Sequence, residues 1–233
     1  STFIKVEYEL LPVVNAVHEA LAGKQPLIHE EFKNYTQVKK VTAYPDRNVS
    51  NHVTVRKGDM NKGRKLSTVT AESEISFPQS DHAAMETRSV RAEILSNGEV
   101  HIHSSSQAPF VIKQLISKYF MMNQDKVIVH TLLVGGAFGG KAAIQLEFIV
   151  YVASKAVAGK QVKLTNTRED DMVSSPVHIG LSANVKFGAT SQGQLTMAEI
   201  TFLFDSGAYL DEASDITPIA AVNSPGPDRD ECV

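Results

Sequence analysis

Val134-Gly135-Gly136-Ala137-Phe138-Gly139-Gly140-Lys141 places four glycines within six residues, and how it is read decides the fold. Lys126–Val134, ahead of it, reads as a strand, and Ala142–Ala158, behind it, reads as a helix that Gly159 stops. Four glycines exceed what a tight strand-to-helix turn needs. They let the backbone approach a ligand closely, and free N–H groups at a helix start attract an anion or an oxo group. Two nucleotide motifs compete for the stretch. Gly135 to Lys141 fits the phosphate loop G-x-x-x-x-G-K, but Ala142 stands where a Ser or Thr should hold magnesium. Ile200–Asp205 imitates a Walker B strand, although apolar runs ending in Asp are common. The dinucleotide pattern G-x-G-x-x-G fails, because Val134 or Ala137 falls where glycine is required.

Outward from the loop, Val90–Leu95 and Glu99–Ser104 flank Ser96-Asn97-Gly98, and Asn-Gly between alternating runs predicts a hairpin with a type I′ turn. Ala108–Phe120 reads as a helix with Pro109 in its first turn and an apolar face of Ile112, Leu115, Ile116, Tyr119 and Phe120. Phe3–Leu11, Val53–Arg56, Ser67–Phe77 and Gln161–Thr165 read as strands, and Asn15–Ala22 as a short helix closed by Gly23. Gln25–Val49 reads as irregular, Pro78–Asp81 as a break, and Gly180–Phe187 with Gln194–Phe204 as a second hairpin. Strands and hairpins interrupted by two main helices predict an α+β fold with mixed or antiparallel sheets.

Composition bounds the function. With 42% apolar and 21% charged residues in 233, the chain can bury a core and is not expected to be disordered. A net charge of −3 with intermixed signs gives no basic stripe for nucleic acid. No apolar run approaches the roughly 18 residues of a membrane span. The one cysteine, Cys232, permits neither an internal disulfide nor an iron–sulfur or zinc cluster, which suits a reducing compartment. The start lacks the features of a signal peptide, so a cytoplasmic protein is expected, and the absence of an initial Met suggests a processed or excised piece.

Several segments together resemble the large subunits of molybdenum hydroxylases, the xanthine dehydrogenase and aldehyde oxidase family. Gly-Gly-Ala-Phe-Gly-Gly-Lys resembles their signature loop, and His82-Ala83-Ala84-Met85-Glu86 their His-x-x-Met-Glu segment. Ser106-Gln107-Ala108-Pro109 is similar to their Ser/Thr-Gln-x-Pro motif. Gly159–Leu164 followed by Thr167–Met172 resembles the Gly-Arg-Pro-Val stretch and its Arg-Glu-Asp-Met end. Val6–Pro12 resembles the strand by which the chain enters from a preceding domain, so the resemblance implies a molybdopterin-binding domain over 13–233, with 1–12 belonging to that entrance.

The resemblance implies a molybdopterin cofactor, in cytosine dinucleotide form if the source is bacterial, bound by Gln107, Gly136, Phe138, Gly139 and Gly140. Gln107 would donate its amide to an oxo ligand of the metal. Phe138 and Gly139 would lend backbone groups, with the Phe138 ring fixing the turn by packing. The pterin itself would supply the metal's sulfur ligands, so no protein metal site is implied. The reaction implied is hydroxylation of an aldehyde or N-heterocycle carbon with water as oxygen source. Its general-base glutamate is expected outside this chain, so no catalytic residue is named and the fragment alone is expected to be inactive. FAD and iron–sulfur clusters are expected on other domains or subunits, alongside the rest of the large subunit and a small-molecule substrate. Apolar surface left for those neighbours would favour oligomers or self-association. Ala142 replaces the glutamate that contacts substrate in many purine-acting members, which argues against purines.

Other residues have plainer readings. Glu86 reads as a structural carboxylate with Arg88 and Arg91 as nearby partners. His101 and His103 read as exposed strand histidines without a third metal ligand, His82 as a structural hydrogen-bonder, and Arg168–Asp171 as a solvated or capping charge cluster. A phosphate-loop nucleotide-binding protein and a non-catalytic binding module remain the alternatives.

Overall fold

The computed structural model describes residues 5–35, 41–210 and 212–224. Cys232, the start of the expected first strand at Phe3 and the tail from Pro225 lie outside the described residues. In chain order the elements are α1 (Val17–Leu21), α2 (Met60–Leu66), β1 (Val69–Phe77), β2 (Ser89–Ile94), β3 (Val100–Ser104), α3 (Pro109–Tyr119), β4 (Val127–His130), α4 (Leu146–Ala156), β5 (Val162–Thr165), α5 (Arg168–Ser174), β6 (Gly180–Ala189), β7 (Leu195–Asp205) and α6 (Ala213–Asn223), with short 3₁₀ turns between them. They form two units. One runs Gln79–His178, and the other joins the described residues up to Pro78 to those from Ile179 onward.

The Gln79–His178 unit carries a four-stranded sheet of order β4-β3-β2-β5. β2 pairs antiparallel with β3 and β5, while β3 and β4 run parallel. A parallel pair needs a crossover, and α3 supplies it. Alternation puts Val90, Ala92, Val100, Ile102 and Val127 on one face, where Ile112 and Ile116 of α3 and Leu146, Val150 and Tyr151 of α4 close the core. At roughly 25 cal/mol per Å² of apolar area, this cluster is the main source of the unit's stability. The other unit is built on an antiparallel sheet of order β1-β6-β7. There α2, capped by the Asp59 carboxylate on Asn61 and Lys62 N–H, packs Gly63 onto the Thr196–Met197 backbone.

The mixed and antiparallel sheets agree with the α+β expectation, but three helices of 11 residues replace two main ones. α6 goes unread in the sequence because Pro218 sits inside it. Residues 5–11 and 53–56 form no strand, since neither finds a neighbour to pair with. The β2–β3 hairpin exists, yet its turn is not type I′. Only Gly98 has positive φ, and Gly98 N–H reaches Leu95 O at 2.9 Å, so Ser96-Asn97-Gly98 is a three-residue loop with glycine in the left-handed place.

α4 ends as expected at Gly159, whose N–H bonds Ser154 O at 2.9 Å. Gly159 has φ +82°, and a Cβ there would lie 2.5 Å from Ile94 O. Gly98 has φ +80° with nothing within 4 Å of such a Cβ. Gly98→Ala is therefore expected to cost about 1 kcal/mol and Gly159→Ala about 2–4 kcal/mol, read from urea midpoints. Equal losses would show that the Gly159 contact is not tight.

Candidate functional site

The glycine loop hangs between β4, which stops at His130, and α4, which starts only at Leu146. The expected helix from Ala142 is overturned: residues 142–145 are not helical, so no helix N-terminus stands directly behind the loop. The loop is held by contacts instead. Gly140 N–H bonds Ala137 O at 2.8 Å and Ala142 N–H bonds Gly139 O at 3.1 Å. Gly136 and Gly139 take φ of +94° and +97°, and Phe138 takes +54°, a strained value for an aromatic residue. Gly135 and Gly140 are glycines for a different reason. Added Cβ atoms would lie 2.6 Å from Glu86 Cβ and 2.7 Å from His82 Nδ1. The Phe138 ring folds back over Gly136 but stays 70% exposed, so it is not packed into a core.

Gln107 sits between β3 and α3, as its motif predicts, and meets this loop. Its Oε1 accepts from Gly139 N–H at 3.1 Å and Lys141 N–H at 3.3 Å, and its own N–H donates to Lys141 O at 3.0 Å. Two amide donors facing one side-chain atom fix that atom as oxygen, so the NH₂ group points the other way. That NH₂, and the N–H groups of Gly136, Ala137 and Phe138, have no hydrogen-bond acceptor among the described residues. The Gly139 N–H, by contrast, is already taken.

Glu86 is tied to neither Arg88 nor Arg91. Its Oε2 accepts from Lys141 Nζ at 2.7 Å and Gly135 N–H at 2.8 Å. Burial raises its pKa, but the Lys141 hydrogen bond and charge and the Gly135 N–H outweigh that and hold it below the ordinary carboxylate range. The Lys141 side chain is 4% exposed and turned into this pair rather than toward the loop's glycines, which counts against a phosphate-loop lysine. Asp205 likewise accepts from Gly207 N–H, closing its own turn.

His82 lies beneath Gly140 with its ring 4.0 Å from that of His178, and its Nδ1 meets the Pro176 carbonyl at 3.2 Å. A carbonyl only accepts, so Nδ1 carries the proton and His82 is the hydrogen-bonder expected. Burial first, then the His178 and Arg88 charges, push its pKa down, against the Pro176 carbonyl and Asp81. A histidine with a depressed folded pKa adds stability that is complete above about pH 6.5 and fades as pH falls from there. The urea midpoint is expected to drop between pH 7 and 5.5, and His82→Phe to flatten that drop. An unchanged slope in His82→Phe would contradict this. Glu86 and Asp171, both depressed, lose their contribution only in more acid solution.

The Arg168–Asp171 cluster is not simply solvated. It opens α5, where Thr167 and Asp170 form a reciprocal capping box. Asp171 is buried, and its Oδ1 accepts from Arg88 N–H, Asn166 Nδ2 and Ser175 Oγ. Arg168 Nη2 donates to the Ala84 and Met85 carbonyls, pinning the segment that leads to Glu86. Nor are His101 and His103 exposed: both are half-buried and stack with His130, which the parallel register brings opposite His103. The rings stack, with His101 Nδ1 3.2 Å from His130 Nε2, and among the described residues no three His, Cys, Asp or Glu side chains are placed to share a metal. No described helix is long and apolar enough to cross a membrane.

Around the glycine loop of this α+β scaffold, the Gln107 NH₂ and the backbone N–H groups of Gly136 and Phe138 have no acceptor among the described residues, and such donors suit an oxygen-rich or anionic ligand. The chain belongs to the molybdopterin cofactor-binding domain family, whose model matches residues 42–227. It is 28% identical over 228 residues to the probable hypoxanthine oxidase XdhD of Escherichia coli O157:H7, covering 88% of this chain and 24% of that protein. The aldehyde oxidoreductase from Desulfovibrio gigas superposes with a TM-score of 0.65 at 26% identity, over 69% of this chain and 18% of that one. Reconstituted CO dehydrogenase from Oligotropha carboxidovorans shares the fold, with a TM-score of 0.72 at 22% identity, over 89% of this chain and 26% of that one. The chain thus spans about a quarter of the length of that Escherichia coli relative.

Proposed function

We propose that this chain is the part of a molybdenum hydroxylase that receives the metal end of a molybdopterin through Gln107 and the Gly136–Gly140 loop. The observation that carries the reading is the orientation of Gln107: two loop N–H groups hold its Oε1, which leaves its NH₂ as an outward donor. The N–H groups of Gly136 and Phe138, without acceptors among the described residues, extend that donor surface. The residues therefore fit a group whose outer atoms are oxygens. When bound, the cofactor supplies the redox chemistry by which an aldehyde or N-heterocycle carbon is hydroxylated with water as oxygen source. The chain's own part is to bind, orient and hold by hydrogen bonds, and the general-base glutamate is assigned to another part of the large subunit. Ala142, without a carboxylate, favours a substrate other than a purine.

Residues 1–12 are assigned to the entrance from a preceding domain. FAD and iron–sulfur clusters are assigned to other domains or subunits, and, for a bacterial source, the pterin to a cytosine dinucleotide form. Exposed Met85, Leu132, Leu133 and Phe138 support burial against a neighbour or self-association. Molybdenum and pterin measured in the natural protein, purified from its own cell, test the reading: about one of each per chain is expected. A natural product with neither would leave the non-catalytic binding module as the better reading.

A further inference from the structure

Lys141 is where three segments meet. Its carbonyl accepts from Gln107 N–H at 3.0 Å and Ser106 Oγ at 3.2 Å, and its N–H donates to Gln107 Oε1 at 3.3 Å. Its side chain, 4% exposed, reaches the other way to Glu86 Oε2 at 2.7 Å. The same carboxylate oxygen holds Gly135 N–H at 2.8 Å. Glu86 thus closes the loop by joining residue 135 to residue 141, and residue 141 in turn grips Gln107 on both its backbone and its side chain.

We propose that Glu86 and Lys141 form a positioning pair that fixes the loop so that the Gln107 NH₂ is held outward. The consequence for cofactor capture rests on the function proposed above. The position of the pair argues for this role. Lys141 is buried but the Glu86 side chain keeps 36% exposure, so the pair adds little net stability over neutral groups and its effect at this junction lies in geometry. The loop also carries Phe138 in left-handed backbone, a conformation that persists only where surrounding contacts over-determine it. Glu86 supplies such contacts at both ends of the loop, and Gln107 supplies them within it.

The test is amide hydrogen exchange in the double variant Glu86→Gln/Lys141→Met. Removing both charges leaves no unpaired buried ammonium, so the fold is expected to survive, and Gln at 86 can still accept from Gly135 N–H. Exchange at Gly139 and Lys141 is expected to rise at least about tenfold, with β2 and β3 unchanged. Wild-type protection at those two amides would overturn the proposal. Should the double variant unfold, Glu86→Asp keeps the charge but falls one methylene short, and the same two outcomes apply. The exchange result needs no cofactor, so a failure of the cofactor reading would appear separately, as wild-type protein without molybdenum.

Discussion

Gln107→Glu is expected to lower molybdenum content at least about tenfold while leaving thermal stability close to wild type. The reasoning turns on which half of the amide faces which partner. A glutamate presents a carboxylate oxygen to Gly139 and Lys141 N–H, so the loop keeps its anchor. What it removes is the outward NH₂, replaced by an oxygen that repels oxygen ligands. A lost charge-assisted donor with added repulsion is worth roughly 1.5–3 kcal/mol, and each 1.4 kcal/mol is a factor of ten in affinity. Gln107→Leu removes donor and anchor together and is expected to fall at least as far. Because Gln107 is exposed, water replaces its loop bonds and folding changes little. Metal content measured beside the melting temperature separates the two effects. A Glu variant with full molybdenum would show that the NH₂ is not a ligand donor.

The largest effect on folding is expected from Asp171→Ala. The Asp171 carboxylate is buried and held below its ordinary pKa; burial opposes this, but the Arg88 N–H, Asn166 and Ser175 outweigh it. Alanine leaves those donors without their acceptor. Unmet buried donors cost about 1–3 kcal/mol each, so a total loss of about 3–5 kcal/mol is expected from urea unfolding. That is a large part of a domain's stability. Asp171→Asn keeps the Oδ1 acceptor and is expected to lose about half as much. A loss below about 1 kcal/mol for the alanine variant would mean that Arg88 and Asn166 find other partners.

What the sequence disclosed follows the range of the interactions involved. The β2–β3 hairpin, α3 with Pro109 at its start, and the stop at Gly159 are specified by neighbours in the chain and were legible. Gln107 and the loop were legible as motifs, although their mutual hydrogen bonds were not. The structural role of Glu86 is legible but its partner is not, because Lys141 lies 55 residues away, whereas Arg88 and Arg91 are merely close in sequence. The stack of His101, His103 and His130 depends on the parallel register of β3 with β4, which no local pattern encodes. The start of α4 was placed too early because Ala142 and Ala143 favour helix. Instead Gly139 O accepts from the Ala142 N–H and Arg88 Nη1 donates to the Ala143 carbonyl, which hold this stretch outside the helix. The reciprocal Thr167–Asp170 cap and the Asp59 cap were signals present in the sequence that would have revealed α5 and α2.

A crystal structure of the molybdenum-loaded natural protein would test the central claim most directly. Gln107 Nε2 and the N–H groups of Gly136 and Phe138 are expected to face the metal end of the pterin, with Gln107 Oε1 still on Gly139 and Lys141. A metal end bound away from this loop, or Gln107 rotated out of it, would overturn the proposed role of Gln107.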